Sequence, residues 1–263
     1  MKTDHKFYMN TEEEINNILY FLKKEFKERK KRTAVIGLSG GLDSTVCARL
    51  CMMAGLKVHG VVLPYYGSGL KESNLVLKYL QIEGKETKID IGHIVDPIIS
   101  TLEFSGIELD CVDKGNIQAR TRMIVQYAIA RRLNGLVVGT EDLSEYYLGY
   151  FTLHGDAASD ISPIRGFFKT QVFEIGKFLG IPKSILEAPP SPRLWKGQTA
   201  EKELGFSYKI ADSILDLYGH SHSENMIIKK GYKKEIVAKV LKRMSDTEFK
   251  RNGCPYCFYT RSW

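Results

Sequence analysis

The chain predicts an α/β fold: a doubly wound, mainly parallel sheet with helices on both faces. Three observations carry this expectation. Short apolar runs at 33–38, 58–63 and 136–139 read as buried strands. Helix-like stretches separate them, so successive strands run in the same direction. The first run passes through Ser39-Gly40-Gly41-Leu42-Asp43-Ser44 straight into a helical pattern, a strand–turn–helix unit.

The elements follow in order. Residues 12–28 form an amphipathic helix, with Ile15, Ile18, Leu19, Leu22 and Phe26 on one face and Lys23, Lys24 and Lys27 mostly off it. Strand 33–38 and helix 45–54 come next, the helix stopping at Gly55. Strand 58–63 ends at Pro64. Residues 74–81 are helical, 87–91 form a third strand and 98–104 a short helix. The long helix 115–133 stops at Asn134-Gly135 before strand 136–139. Helix 171–179 is closed by Gly180-Ile181-Pro182, and 189–197 is a Pro-rich loop. Late helices cover 209–217 and 233–244. No repeat, low-complexity stretch or linker interrupts the pattern. A single domain over 1–263 is expected, with an irregular tail at 249–263.

Bulk properties narrow the function. The net charge of +7, from 38 basic and 31 acidic residues, suits an anionic ligand such as a nucleotide and also allows nucleic acid. Five cysteines, with no export signal at the N-terminus, read as reduced thiols in the cytoplasm. No apolar run approaches the roughly 18 residues that span a bilayer, so no membrane partner is expected.

In open α/β sheets the ligand sits beyond the strand C-termini. The strands run into Ser39, Pro64 and Thr140, so these loops should meet at one site. In the first loop Gly40 and Gly41 allow close approach to phosphate, and Ser39 and Ser44 supply hydroxyls. Asp43 repels bare phosphate, and its natural role is to hold Mg²⁺. No Gly-Lys-Ser/Thr closes the turn, and its glycines do not fit G-x-G-x-x-G, so it is neither a Walker A loop nor a dinucleotide fingerprint. An ordinary Gly-rich turn is the alternative.

A second cluster runs from Asn116 to Met123. Arg120 and Arg122 are expected at a helix start, where they oppose the local dipole unless an anion is near. They clamp a carboxylate or phosphate, or else they pair along a solvated face. The third cluster runs from Gly139 to Asp160. Glu145 is a candidate second Mg²⁺ ligand alongside Asp43. Asp156 and Asp160, four apart, would share a helical face, one binding a substrate hydroxyl and the other managing ammonia's proton. Helix capping is the alternative for each acid. Lys169 either snorkels beside Phe167-Phe168 or neutralises the β and γ phosphates.

The combination SGGLDS, NIQARTRM, GT…SE…GYFT…GD…D, FKTQV and PPSPRLWKGQTAEKELG, in this order, resembles ammonia-dependent NAD synthetase from about residue 12 to 252. SGGxDS alone is shared by the ATP pyrophosphatase superfamily, which splits ATP between its α and β phosphates. The resemblance implies an adenine nucleotide alpha hydrolase-like fold, ATP as co-substrate, Mg²⁺, deamido-NAD and a homodimer. It implies an acyl adenylate formed on the nicotinate carboxylate, then displacement of AMP by ammonia. It covers nearly the whole chain, so free ammonia is the expected nitrogen donor. The ATP site falls on Gly37, Leu38, Ser39, Gly40, Gly41, Leu42, Asp43, Ser44, Thr140, Lys169 and Ser191. Metal ligands fall on Asp43 and Glu145. Deamido-NAD contacts fall on Arg120, Asp160, Phe249 and Lys250. Asp43, Asp156 and Lys169 are the catalytic candidates.

Some positions depart from the family pattern: Asp142 for Asn, Leu153 for Lys, Ala157-Ala158-Ser159 for a more Gly-rich stretch, Ala200 for Asp and Phe249 for His. ATP and metal positions match; the departures cluster on the substrate side. The competing readings are an amide ligase for another carboxylate and a tRNA-modifying ATP pyrophosphatase, although nucleic acid is not the expected partner. Cys254 and Cys257 form a C-x-x-C that is free, metal-bound or disulfide-linked by sequence. Cys47 and Cys51 read as core, His220-Ser221-His222 as a surface turn and Lys30-Lys31-Arg32 as a solvated run.

Overall fold

Four parallel strands carry the fold in a computed structural model that describes residues 7, 9–195 and 197–255. They are β1 (Thr33–Gly37), β2 (Lys57–Val62), β3 (Thr87–Lys88) and β4 (Gly135–Val137), in the order β3-β2-β1-β4. In register, Thr33 lies beside both Lys57 and Gly135. Val138 adds a parallel bridge to Ile161, so the chain after β4 returns along the same edge.

The strand side chains alternate between two cores. Ala34, Ile36, Leu38 and Val62 join one with α1 (Thr11–Glu28), α2 (Leu42–Met53) and α3 (Leu70–Leu80). Val35, Val61, Leu63 and Val137 face the other, against α4 (Gly92–Phe104) and α5 (Cys111–Arg132). Helices on both faces of a parallel sheet are the expected doubly wound arrangement. The first core also takes in α7 (Lys169–Phe178), through Val172 and Ile175.

A third apolar cluster is mostly helical. It is built by α6 (Leu143–Leu148), α9 (Ala200–Leu204), α10 (Tyr208–Gly219), α11 (Glu224–Lys229) and α12 (Lys234–Asp246), around Leu148, Leu204, Ile214, Val237 and Val240. Helices α6 and α7 both pack on α10 and so tie this layer to the sheet.

Several boundaries differ from expectation for identifiable reasons. Helix α2 begins at Leu42, so Asp43 and Ser44 lie in its first turn rather than in the preceding loop. Strand β3 is only two residues long. Helix α4 begins at Gly92 and runs through Pro97, ahead of the expected start at Ile98. Ile91, Val95 and Ile99 are buried at a four-residue spacing, and that stripe keeps the first turn helical. Asp110 and Asp113 form a capping box that starts α5 at Cys111. Arg120 and Arg122 are therefore mid-helix, and the expected conflict with the helix dipole does not arise. Asp156 and Asp160 lie in turns and share no helical face. Helices α8 (Lys183–Leu186), α9 and α11 are too short for a periodic signal. Past α12 a 3-10 turn, Glu248–Lys250, replaces the irregular start expected for the tail.

Candidate active site

The turn after β1 is a backbone cradle. Gly40 has φ 82°, and a Cβ there would collide with the Glu72 Cβ, so only glycine fits. The Ser39 Oγ accepts from the Gly41 N–H at 3.2 Å. The Ser44 and Thr45 hydroxyls both donate to the Gly41 carbonyl, at 3.1 and 2.7 Å. Gly41 is the N-cap of α2 and offers no side-chain cap. The N-terminus of a twelve-residue helix therefore faces the cradle as a site for an anion.

Opposite the cradle lies a cluster of buried charge. Lys169, the first residue of α7, is 7% exposed. Its Nζ lies 2.8 Å from Asp43, 2.8 Å from Asp142 and 3.0 Å from Glu145. Asp142 caps α6: its Oδ1 accepts from the Glu145 N–H at 2.8 Å, and its own N–H donates to the Glu145 carboxylate at 3.3 Å. Burial pushes the pKa of Glu145 well up and raises that of Asp142. Burial opposes the charge on Lys169, but Asp142, Asp43 and Glu145 outweigh it and hold its pKa well above the ordinary lysine value.

A second layer fixes this cluster. The Lys169 N–H donates to Ser144 Oγ at 2.8 Å, and that hydroxyl donates to Asp212 at 2.6 Å. The Thr170 N–H donates to the other Asp212 oxygen at 2.9 Å. One buried carboxylate on α10 thus ties the N-termini of α6 and α7 together. Burial pushes its pKa up to about 7 against those hydrogen bonds.

The donor set fits a divalent cation. Asp43 Oδ1 is buried and has no hydrogen-bond partner among the described residues. Glu145 shares the same ammonium. Both offer hard carboxylate oxygens. No group of three or more His, Cys, Asp or Glu among the described residues is arranged to hold an ion. Two carboxylates supplemented by phosphate and water are the usual Mg²⁺ arrangement.

Ser39, Gly41, Leu42, Asp43, Thr140, Glu145, Asp156, Lys169 and Ser191 all line one cavity of about 960 Å³. Gly37 and Leu38, with Thr140, Arg122 and Asp156, line a smaller one of about 160 Å³ at the strand ends. Gly40 and Ser44 shape the cradle without lining either. Asp156 accepts from the Thr152 N–H at 2.6 Å, and the desolvating protein surroundings raise its pKa. Arg122 is half-buried, donates to the Leu63 carbonyl at 3.1 Å and has its pKa lowered to about 10 by desolvation.

Other expected site residues stand apart. Asp160 accepts from the Val137 N–H at 2.7 Å and completes the edge of β4. Arg120 reaches the Leu153 carbonyl at 3.4 Å. Lys250 donates to the carbonyls of Gly149 and Phe151, at 2.9 and 2.8 Å. Phe249 is 65% exposed. None of these four lines either cavity.

Sequence reading assigned no role to Asp212, Glu141, Arg165 or Arg193. Asp212 gives no signal, being one acid in an apolar helical pattern. Glu141 pairs with Arg165 at 2.8 Å, and burial pushes its pKa up to about 7. Asp142 had one legible signal, the D-x-x-E spacing of a capping box. Cys47 and Cys51 are buried free thiols, as their helical spacing suggests. Cys254 is exposed and free, and Cys257 lies outside the described residues.

The NAD synthase family matches residues 14–254. The chain belongs to that family. An NH(3)-dependent NAD(+) synthetase from Pyrococcus furiosus is 40% identical over 250 residues, covering 92% of this chain and 93% of that protein. The solved NMN synthetase from Francisella tularensis superposes with a TM-score of 0.85 at 31% identity, covering 96% of this chain and all of that one. The NH3-dependent NAD synthetase of Campylobacter jejuni gives a TM-score of 0.79 at 25% identity, covering 95% and 100%. The family forms carbon–nitrogen bonds, so this chain is classed with ligases. Membership also accounts for the parallel sheet and for the order of the sequence motifs.

Proposed function

We propose that this chain amidates the nicotinate carboxylate of deamido-NAD with ammonia, through an acyl adenylate, releasing AMP and pyrophosphate. The observation that carries the reading is the convergence of Asp43, Glu145 and Lys169 on the cradle at the N-terminus of α2. That geometry suits a triphosphate cleaved at its α-phosphorus. Mg²⁺ held by Asp43 and Glu145 would neutralise charge on the pyrophosphate as it leaves. The Gly40–Gly41 backbone and the first turn of α2 hold the phosphates. Lys169 adds a fixed positive charge from a buried position, so little reorganisation is needed as the P–O bond breaks. The cavity of about 960 Å³ is large enough to bring a second nucleotide alongside. Asp156, which lines both cavities, takes the proton lost when ammonia attacks.

The working form is a homodimer. Exposed apolar residues gather on α4 and α5, where Phe104 is 95% and Ile124 61% exposed and Ile94, Ile98 and Val112 are also exposed. Such residues on two packed helices suit a second copy of the chain. No described helix is long and apolar enough to cross a membrane. The free buried thiols suit the cytoplasm.

One incubation tests the reaction. With ATP, Mg²⁺, ammonium and deamido-NAD, the products NAD, AMP and pyrophosphate should form in equal amounts. A parallel arm with nicotinate mononucleotide addresses the similarity to an NMN synthetase. Turnover in that arm alone would overturn the dinucleotide substrate while leaving adenylation intact.

A further inference from the structure

We propose that Arg193 is a phosphate-binding residue of the adenylation step, holding ATP where its α and β phosphates separate. The proposal deepens the function above and rests on it.

The Pro-rich loop is a rigid mount. Arg193 has φ 51°, a left-handed backbone, and its N–H donates to Ser191 Oγ at 3.1 Å. That hydroxyl donates to the Gln198 carbonyl at 2.6 Å, and the Gln198 side chain accepts from the Leu194 N–H at 2.8 Å. Gln118 on α5 then donates to the Leu194 carbonyl at 3.1 Å. The loop is stapled to itself and to the sheet layer, so the direction of Arg193 is fixed.

From this mount the guanidinium reaches the cradle. One terminal nitrogen donates to the Ser39 carbonyl at 2.7 Å. Arg193 also lines both cavities. The smaller cavity, framed by strand ends, suits a nucleoside; the larger holds the carboxylates and Lys169. A group on their boundary meets the phosphates that connect the two.

Charge gives the reason for an arginine there. Lys169 is shared by three carboxyl groups, and Arg165 is paired with Glu141. Arg122 is half-buried and donates to a carbonyl. Among the described residues, Arg193 has no carboxylate within ion-pair distance, and its bonded partner is a neutral carbonyl. Its charge remains available to a polyanion. Its remaining N–H groups match a pair of phosphate oxygens. In the step itself the substrate carboxylate oxygen bonds to the α-phosphorus. The bond to the β-phosphate oxygen breaks, and its electron pair leaves with pyrophosphate. Arg193 donates hydrogen bonds throughout and transfers no proton.

The test uses R193Q and R193K in the full chain, with inorganic pyrophosphate and ATP as calorimetric probes. Pyrophosphate–ATP exchange with deamido-NAD is measured without ammonia. R193Q should lose about ten- to a hundredfold in pyrophosphate affinity and in exchange rate, as expected for a charge-assisted bond. Its KM for deamido-NAD and its thermal midpoint should not move. R193K should recover part of the loss. Wild-type affinity for pyrophosphate in R193Q would overturn the proposal. So would R193K behaving like R193Q while both are cleaved faster within 189–199, because Arg193 would then only latch the loop. If the wild type binds ATP but does not turn over deamido-NAD, the functional reading fails while the calorimetric comparison still decides the role of Arg193.

Discussion

The two walls of the large cavity are made of different material. The cradle wall is backbone: a left-handed Gly40, the Gly41 carbonyl bridged by two hydroxyls, and the uncapped start of α2. The opposite wall is side-chain charge: Asp43 from α2, Lys169 from α7, Asp142 and Glu145 from α6, and Asp212 behind them from α10. The first wall is local, formed by consecutive residues whose conformation is set by glycine and helix geometry. The second exists only once four helices have packed, and each charge in it is tolerable only because the others are present. A local wall fails through backbone strain; an assembled wall fails through unpaired charge.

Substitutions at the two walls sharpen that contrast. The largest expected effect is on chemistry at the assembled wall. Asp43→Asn or Glu145→Gln should lower the rate of pyrophosphate–ATP exchange by about 10³, since each removes a group that would hold the metal, worth several kcal/mol at the transition state. Full activity in Glu145→Gln would remove the metal assignment. Gly40→Ala comes next. The methyl group meets the Glu72 side chain and the alanine must adopt a positive φ, so stability should fall by about 1–3 kcal/mol and ATP affinity with it. Urea unfolding and ATP titration measure the two losses together. A variant that lost neither would show that the cradle is not strain-limited.

Asp212→Asn probes the seam between the walls. It should cost about 1–3 kcal/mol, because an amide cannot accept from both Ser144 and Thr170 as the carboxylate does. It also carries a pH signature. The pKa of Asp212 is raised to about 7 in the folded chain, against about 3.9 when unfolded. Between those values the native state binds the extra proton. Its contribution is therefore full below about pH 4 and is lost as pH rises toward 7. Asn at this position should flatten that part of the stability–pH curve, and an unchanged slope would argue against the assignment. The smallest effect on the fold should come from Phe104→Asp, a surface change within about 0.5 kcal/mol of wild type. It should nonetheless convert a dimer to a monomer in sedimentation. A wild-type monomer would overturn the interface instead.

The same contrast governs how much was legible. The sheet, its parallel strands and the cradle were readable because apolar runs, glycines and hydroxyls act over neighbouring residues. Helix α1 was placed to within a residue by its stripe from Ile15 to Phe26. Boundaries that depend on capping or on burial against another element, as at Asp110 and Pro97, were not. The acids of the third loop show the limit most clearly. Asp156 and Asp160 look equivalent in sequence, yet one lines both cavities and the other finishes a strand edge.

By itself, the sequence determined a parallel α/β sheet, an anion cradle after its first strand, and membership in a family that forms carbon–nitrogen bonds. Short-range geometry and ordered motifs suffice for these. Only the tertiary structure decided which charges share a cavity: that Asp142 joins Asp43 and Glu145 around Lys169, that Asp212 braces them, and that Arg193 faces the cradle with its charge unpaired by any described carboxylate. Coulomb interactions depend on distance in space and on burial, and a linear chain states neither.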